Sequence, residues 1–175
     1  MPETALLIDQ GNTRLKWILA RDGEIVEESA GRGDFAALAA AFEGSSERLK
    51  DVLISSVAGS EAVRQVTEFC HLRWGIRPRR LQSKSEQGGV RCAYANPSAL
   101  GVDRWLAIVG AVHRYGKPVV IWDLGTASTL DAVNEHGDHL GGMILPGPAT
   151  MLNSLRRDTR LRVPDDLSNA QASAG

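Results

Sequence analysis

The sequence predicts an α/β fold whose two halves begin in the same way. A short apolar segment followed by Asp-x-Gly occurs twice, and each time a Thr lies in the turn. Further strand-like segments and then a helix follow both copies. A chain of 175 residues with 43% hydrophobic residues can form a sizeable core, in one domain or in two small ones. The two copies are Asp9-Gln10-Gly11-Asn12-Thr13 and Asp123-Leu124-Gly125-Thr126-Ala127.

The first half is predicted to contain three strands, a helix, a fourth strand and a second helix. Residues 5–8, 15–19 and 25–29 are short apolar segments, and Gly11 permits a tight turn between the first two. An Ala-rich helix is predicted over 35–42, ending at Gly44. An apolar strand over 52–57 precedes a helix over about 60–72, which carries apolar residues on one face.

A helix over 103–115 links this part to the second half. It is apolar on more than one side, so it is either central core or a dimer face, and we expect core. From Val119 the strand pattern begins again, with strands over 119–122 and 128–133, a turn at Gly137-Asp138, a third strand and a helix over about 148–157. After Pro164 the residues are small and polar. We therefore expect the second half to lack the helix, strand and helix that close the first.

The two hairpin tips have the chemistry of a phosphate clamp. Glycine allows the chain to approach a phosphate closely, and backbone N–H groups and Thr hydroxyls donate hydrogen bonds to its oxygens. A carboxylate beside a phosphate is repulsive unless a cation lies between them, so Asp9 and Asp123 imply a bound metal. A single Asp-Gly turn would indicate only a β-hairpin. Two matching copies favour nucleotide binding.

Four motifs in the same order are similar to those of the type III pantothenate kinases, members of the actin-like ATPase superfamily with the acetate and sugar kinases. The resemblance implies an actin-like ATPase fold, in which two ribonuclease H-like halves hold mixed sheets flanked by helices, the second half being incomplete here. It assigns residues 1–117 to the first half, with the phosphate hairpin and the substrate helix, and 118–175 to the second. The motifs are Ile8-Asp9-Gln10-Gly11-Asn12-Thr13-Arg14-Leu15-Lys16-Trp17, Asn96-Pro97 with Gly101-Val102-Asp103-Arg104, Asp123-Leu124-Gly125-Thr126-Ala127-Ser128-Thr129-Leu130-Asp131, and Gly141-Gly142-Met143-Ile144-Leu145-Pro146-Gly147.

The resemblance implies that the γ-phosphate of ATP is transferred to the primary hydroxyl of pantothenate, the first step of coenzyme A biosynthesis. Asp103 would be the catalytic base, and Asp123 would bind a monovalent cation, K⁺ or NH₄⁺, beside the Mg²⁺ that accompanies ATP. The implied substrate-binding residues are Tyr94, Gly101, Val102, Asp103 and Arg104. The implied ATP-binding residues are Asp9, Gln10, Gly11, Asn12, Thr13, Arg14, Leu15, Lys16 and Thr126.

Each of these residues also has a plain structural interpretation. Asp103 is a favoured N-cap for the helix that follows it, a role compatible with catalysis. Arg104 could be an exposed residue on the helix surface, and Tyr94 a packed aromatic. Lys16 could point to solvent, and Thr126 could be an ordinary turn residue. The glycines at 141–142 and 147 could let the backbone pass close to adenosine or to a neighbouring strand, or could mark loops.

Composition argues against several other classes of function. Lys and Arg number 20 against 21 Asp and Glu, so we expect no nucleic acid and no membrane surface as a partner. The Arg-rich stretch 73–80 is accordingly interpreted as a solvated surface loop. Cys70 and Cys92 have no metal-binding spacing, and no signal segment is present, so we expect a cytoplasmic enzyme. His136 and His139 flank a turn, lack a third zinc ligand and are expected to be exposed.

Two other functions stay open. One is another small-molecule kinase of the same superfamily, although the Gly-x-Asp-Arg segment after Asn96-Pro97 argues against it. The other is a non-catalytic nucleotide-binding or regulatory accessory relative. The resemblance implies a homodimer whose interface helps to build the substrate pocket, and it places a further substrate-binding Thr just beyond residue 175. The chain is then a fragment or a truncated homologue, and we expect exposed apolar surface and self-association.

Overall fold

In the computed structural model, which describes residues 3–12 and 14–159, the first half folds around a five-stranded sheet of order β3-β2-β1-β4-β5. Strands β1 to β3 form the predicted antiparallel meander, and β4 and β5 run parallel to β1. The strands are β1 Thr4–Gln10, β2 Leu15–Arg21, β3 Glu24–Gly33, β4 Asp51–Ser56 and β5 Arg79–Arg80, and the helices are α1 Phe35–Ala41 and α2 Ser60–Trp74.

One face of this sheet carries the first hydrophobic core. Burial alternates along β1 and β2, as a half-covered sheet requires, and α1 and α2 cover the buried face. Asp34 caps α1, where its carboxylate accepts the N–H of Ala37 at 2.9 Å. On the opposite face Leu7, Asp9 and Lys16 line a cavity of about 800 Å³. The core residues are Leu6, Ile8, Leu15, Trp17, Leu19, Leu38, Phe42, Val52, Ile54, Val66 and Cys70.

The second half is a three-stranded antiparallel sheet of order β10-β9-β8, packed against a helix. A short hairpin of β6 and β7 and a 3₁₀ turn at Pro97–Ala99 lead into that helix. From β6 onward the elements of the chain are β6 Glu86–Gln87, β7 Val90–Arg91, α3 Val102–Tyr115, β8 Val119–Leu124, β9 Ala127–Val133, β10 His139–Pro146 and α4 Pro148–Asp158. The second core contains Val90, Leu100, Trp105, Ile108, Val112 and Val133.

The structure confirms the predicted strands and helices among the described residues and adds three short strands. β5 and the β6–β7 hairpin were missed, because two-residue strands show no periodicity. The interpretation of 73–80 as a surface loop is therefore wrong in part: Arg73 lies in α2, and Arg79 and Arg80 pair with β4. The prediction that α3 is core is confirmed, since Trp105 and Ile108 are fully buried. Residues 160–175, where no further element was expected, lie outside the described residues.

No helix in the described part of the chain has both the length and the apolar character needed to cross a membrane. The longest is α2, with 15 residues and an exposed polar face that includes Glu61 and Arg64. A membrane-spanning helix needs roughly 20 mostly apolar residues.

The face of the second sheet that points away from α3 is apolar and exposed. Val120 and Trp122 of β8 are 66% and 67% exposed, and Met143 and Leu145 of β10 lie on the same face of the sheet. Contiguous exposed patches of this kind promote association. The prediction of exposed apolar surface is thus confirmed for these strands, while self-association stays a prediction.

We expect Trp122→Ser to reduce self-association of the chain, because it removes the largest apolar side chain of this face. Sedimentation velocity over a range of concentrations measures the effect. The matched control is Leu72→Ser, because Leu72 is 86% exposed but lies on α2, away from this face. A wild-type chain that sediments as a monodisperse monomer would contradict the prediction.

Candidate active site at the start of helix α3

The first turn of α3 presents an exposed carboxylate. Gly101 is the N-cap residue and Asp103 is the second residue of the helix, so the interpretation of Asp103 as the N-cap is wrong. The Asp103 Oδ1 atom instead accepts the backbone N–H of Arg104 at 2.8 Å. A Cβ atom on Gly101 would lie 2.5 Å from this Oδ1 atom, so a larger residue there would require the carboxylate to move.

The carboxyl ends of two parallel strands lie beside this turn. The N–H of Val57 donates to the carbonyl of Gln10 at 3.1 Å, and the Ser56 hydroxyl donates to Gln10 Oε1 at 3.1 Å, which ties β4 to β1. A Cβ atom on Gly101 would be 3.9 Å from Val57 Cγ1. The start of α3 therefore lies against the edge of the first sheet at which α/β proteins commonly bind ligands.

The duplicated motif forms two hairpins whose aspartates occupy equivalent positions. Asp9 and Asp123 are each the next-to-last residue of their strand, two residues before the glycine. The N–H of Gly11 donates to the carbonyl three residues further on at 2.9 Å, and that of Gly125 to the carbonyl two residues further on at 3.0 Å. These two N–H groups therefore close the turns. Thr13 lies outside the described residues.

Asp9 and Lys16 face each other across the first hairpin. Lys16 Nζ lies 3.7 Å from Asp9 Oδ2, and the side chains are 64% and 45% exposed, so the pair contributes little to stability. Asp9 lies beside Ser55 of β4, whose buried hydroxyl has no hydrogen-bond partner in the described part of the chain. Asp9, Lys16 and Ser55 line the same cavity. Lys16 could therefore approach a phosphate bound at this hairpin.

A buried ion pair joins α3 to the second sheet. Arg104 Nε donates to Asp131 Oδ2 at 2.9 Å, and Arg104 Nη2 donates to Asp131 Oδ1 at 2.6 Å. His139 Nε2 lies 2.9 Å from the same Oδ1 atom. The three residues are only 8%, 2% and 3% exposed, respectively. The interpretation of Arg104 as an exposed helix-surface residue is therefore wrong.

Tyr94 completes this cluster. Its ring stacks on that of His139, with centroids 6.1 Å apart and an angle of 17° between the planes. The pKa of the Arg104 guanidinium is raised above its ordinary value, chiefly by its hydrogen bond with Asp131 and further by the Tyr94 hydroxyl. The prediction that His139 is exposed is wrong, because its ring is held between Asp131 and Tyr94. His136, in contrast, is exposed as expected.

The glycines of the fourth motif lie where backbone passes close to neighbouring groups. A Cβ atom on Gly142 would be 2.1 Å from Asp131 Oδ1 and 2.6 Å from Arg104 Nη2. A Cβ atom on Gly147 would be 2.0 Å from the Gly125 carbonyl, and the Gly147 N–H donates to the carbonyl of Thr126 at 2.9 Å. The second hairpin tip is thereby fixed to the start of α4, and Thr126 is exposed at that tip.

We expect Gly142→Ala to destabilise the fold by about 1–3 kcal/mol, because the added methyl group would displace the Arg104–Asp131 pair. Urea unfolding followed by circular dichroism measures the change. Gly110→Ala is the control: in the described part of the chain, the added methyl group on this glycine of α3 would meet nothing within 4 Å beyond its chain neighbours and the backbone of its own helix. Alanine there should leave stability unchanged or raise it by up to about 1 kcal/mol. Equal effects of the two substitutions would contradict the prediction.

The site contains two residues to which sequence reasoning gave no role, Asp131 and His139. A signal for Asp131 is present in the sequence, because it is a charged residue at a position of β9 where the alternation predicts burial. Among residues 3–12 and 14–159, no three His, Cys, Asp or Glu side chains are grouped so as to hold a metal ion. Asp123 is exposed on the same face of the sheet as Asp131, because it lies two residues beyond Ile121, the β8 residue that pairs with Asp131.

Comparison with known proteins identifies the family. The family model for type III pantothenate kinases matches residues 5–172. A type III pantothenate kinase of Herminiimonas arsenicoxydans is 41% identical over 164 residues, which are 88% of this chain and 63% of that protein. One of Janthinobacterium sp. (strain Marseille) is 38% identical over 167 residues, with the same coverage of both chains. The chain thus spans 63% of the length of these relatives.

Solved structures confirm the predicted fold. A Campylobacter jejuni protein described as a member of the Baf family of transcriptional activators matches with a TM-score of 0.54 and 17% identity, over 97% of this chain and 67% of its own. A Sinorhizobium meliloti protein described as a 2-dehydro-3-deoxygalactonokinase matches with a TM-score of 0.50 and 12% identity, over 90% and 58%. These similarities support the actin-like ATPase fold alone. The family model and the two relatives show that the chain belongs to the type III pantothenate kinase family.

Proposed function

We propose that this chain phosphorylates pantothenate on its primary hydroxyl with the γ-phosphate of ATP, the first step of coenzyme A biosynthesis. The observation that carries the proposal is the first turn of α3. It presents the exposed carboxylate of Asp103 beside the edge of the first sheet, while the adjacent Arg104 is anchored in the second. Family membership supports the same reaction. We further propose that the enzyme is cytoplasmic and a homodimer.

Asp103 is the proposed general base. Its carboxylate is exposed and needs only one oxygen for the N–H of Arg104, so the other can accept the proton of the attacking hydroxyl. A positioned base contributes roughly 10²–10⁴-fold to the rate. Alignment of the two substrates and neutralisation of phosphate charge supply most of the remaining acceleration in phosphoryl transfer.

The acceptor is proposed to bind beside Asp103, along Gly101, Val102, Arg104 and Tyr94. A guanidinium group carries five N–H donors, and the side-on contact with Asp131 uses two of them. The remaining donors suit the carboxylate or amide oxygens of pantothenate. The Tyr94 hydroxyl lies next to the same guanidinium and provides a further polar contact for the acceptor.

ATP is proposed to bind between the two hairpin tips, and the residues present fit its cations. Asp9, which is half-buried, and Asp123, which is exposed, place carboxylates at equivalent positions, and oxygen is the ligand that Mg²⁺ prefers. In the described part of the chain, neither aspartate belongs to a group of three or more side chains that could hold a metal ion. Phosphate oxygens and water would therefore complete the coordination. Asp123 is proposed to hold K⁺ or NH₄⁺. A bound cation would neutralise charge on the phosphates.

The test is formation of phosphopantothenate by this 175-residue chain, measured by mass spectrometry with ATP and Mg²⁺, in the presence and absence of K⁺. We expect product that depends on both ATP and K⁺. Acetate and a hexose serve as alternative acceptors, and phosphorylation of either instead of pantothenate would indicate a different kinase. No product together with retained ATP binding would indicate an incomplete kinase or a non-catalytic relative.

A further inference from the structure

Asp131 stands out because a carboxylate that is only 2% exposed accepts three hydrogen bonds from two side chains. Burial of a charge is costly, and well-packed apolar residues of similar volume usually stabilise a fold as well as a buried ion pair does. Stability alone is therefore a weak reason for this pair. The gain that the geometry does offer is a fixed orientation of the Arg104 guanidinium.

The contact between Arg104 and Asp131 is side-on, through Nε and Nη2. Two parallel hydrogen bonds to one carboxylate fix the plane of the guanidinium as well as its position. The donors on its other edge are then held in one direction before any ligand arrives. Since Arg104 directly follows Asp103 in the chain, the same contact restrains the turn that carries the proposed base.

His139 supports Asp131 and Tyr94 at once. Its Nδ1 atom accepts a long hydrogen bond of 3.5 Å from the N–H of Ala93, so in the neutral ring Nε2 carries the proton and donates to Asp131. The His139 ring also stacks on the Tyr94 ring. One buried imidazole thus connects the anchor of Arg104 to the aromatic side chain beside that guanidinium.

A β-bulge in β10 brings this arrangement together. His139 pairs with Val133, and Gly142 pairs with Asp131. The two β10 residues are three positions apart, whereas their partners in β9 are two positions apart, so β10 contains one extra residue. In a regular strand residues 139 and 142 would point to opposite faces. With the bulge between them, His139 and Gly142 both face α3, and Gly142 leaves the space that the Asp131 carboxylate occupies.

From these contacts we infer that Asp131 and His139 are positioning residues of the acceptor site, which fix the Arg104 guanidinium beside Tyr94 so that it binds the acceptor. The inference rests on the proposed function for the identity of the acceptor. Its consequence is specific: loss of either residue should weaken use of the acceptor much more than use of ATP, which is proposed to bind at the hairpin tips.

The first test measures the orientation of Arg104 without any substrate. In ¹⁵N NMR spectra of the wild-type chain, the Arg104 Nε–H signal, assigned by its loss in Arg104→Lys, should exchange slowly with water and show restricted motion. In Asp131→Asn and His139→Ala it should become mobile while the backbone spectrum stays folded. His139→Gln retains an amide donor near the position of Nε2 and should restore the rigid signal. Rigid signals in all variants would overturn the inference.

The second test measures kinetics with the same variants. We expect Asp131→Asn and His139→Ala to raise the KM for pantothenate about tenfold or more, with the KM for ATP changed less than about twofold, and His139→Gln to recover most of the loss. Asp158→Asn is the control, because Asp158 also contacts an arginine, Arg157, through both Nε and Nη2, but at the exposed end of α4. Equal increases in both KM values, or none, in folded variants would overturn the inference.

These two tests separate the inference from the proposed function. If the wild-type chain neither phosphorylates nor binds pantothenate in calorimetry, the proposed function fails, and the NMR experiment still decides whether Asp131 and His139 orient Arg104. If the wild-type chain is active and the variants lose Arg104 order without any change in the KM for pantothenate, the proposed function stands and the positioning role is excluded.

Discussion

Replacement of Asp103 by Asn should lower the rate of phosphopantothenate formation by about 10²–10⁴-fold, the range that a positioned general base contributes. The amide oxygen can still accept the N–H of Arg104, the contact that the carboxylate makes at 2.8 Å. It cannot take up the proton of the attacking hydroxyl. Because the side chain is exposed and Gly101 is the N-cap, the fold should be unaffected. Initial rates with saturating ATP measure the loss.

Two measurements accompany this substitution. Calorimetric titration with a non-hydrolysable ATP analogue should give an affinity within about twofold of wild type, because the proposed nucleotide contacts lie on the hairpins. Glu27→Gln, which removes an exposed carboxylate from β3, is the matched control and should keep full activity. If Asp103→Asn turned over pantothenate at the wild-type rate, Asp103 would be only a structural residue of the first turn.

Replacement of Asp131 by Ala should lower the free energy of unfolding by about 3–5 kcal/mol, because it leaves the buried Arg104 guanidinium without a counter-ion. The loss also removes the acceptor of the His139 hydrogen bond. Urea unfolding monitored by tryptophan fluorescence measures the change. We expect a lower midpoint with an unchanged denaturant dependence, as is usual when stability alone is altered.

Asp158→Ala is the matched control, because it removes the carboxylate of an exposed ion pair. The Arg157–Asp158 pair has a similar side-on geometry at 2.8 and 2.9 Å, but both side chains are exposed to solvent. Exposed pairs contribute little, so no measurable loss of stability is expected there. A double replacement, Arg104→Met with Asp131→Leu, should recover much of the stability because no charge is left unpaired. A loss as small for Asp131 as for Asp158 would contradict the account.

Local pattern was sufficient to predict the repeated parts of the fold. The duplicated Asp-x-Gly turns after apolar runs predicted hairpins at Gly11 and Gly125, and both are present. The several apolar sides of the helix over 103–115 predicted its burial, which Trp105 and Ile108 confirm. In these cases a residue's environment follows from its neighbours in sequence, through period and turn chemistry.

The features that were not predicted depend on partners distant in sequence. Arg104 and Asp131 are 27 residues apart. The alternation of β9 indicates burial of Asp131, but nothing near either residue in sequence identifies the other as its partner. His139 follows a turn and would be expected at the surface. Its burial depends on the bulge in β10 and on the ring of Tyr94, which lies in the loop after β7. Contacts of this kind are set by tertiary packing, which sequence periodicity does not report.

A crystal structure of the chain with pantothenate and a non-hydrolysable ATP analogue would test the proposed roles of Asp103 and Arg104 directly. We expect the primary hydroxyl of pantothenate to lie about 2.6–3.2 Å from an Asp103 carboxylate oxygen, the reach of a general base. We also expect Arg104 to contact the acceptor while it remains paired with Asp131. Pantothenate bound away from the first turn of α3, or an Arg104 that leaves Asp131 to reach it, would contradict these roles.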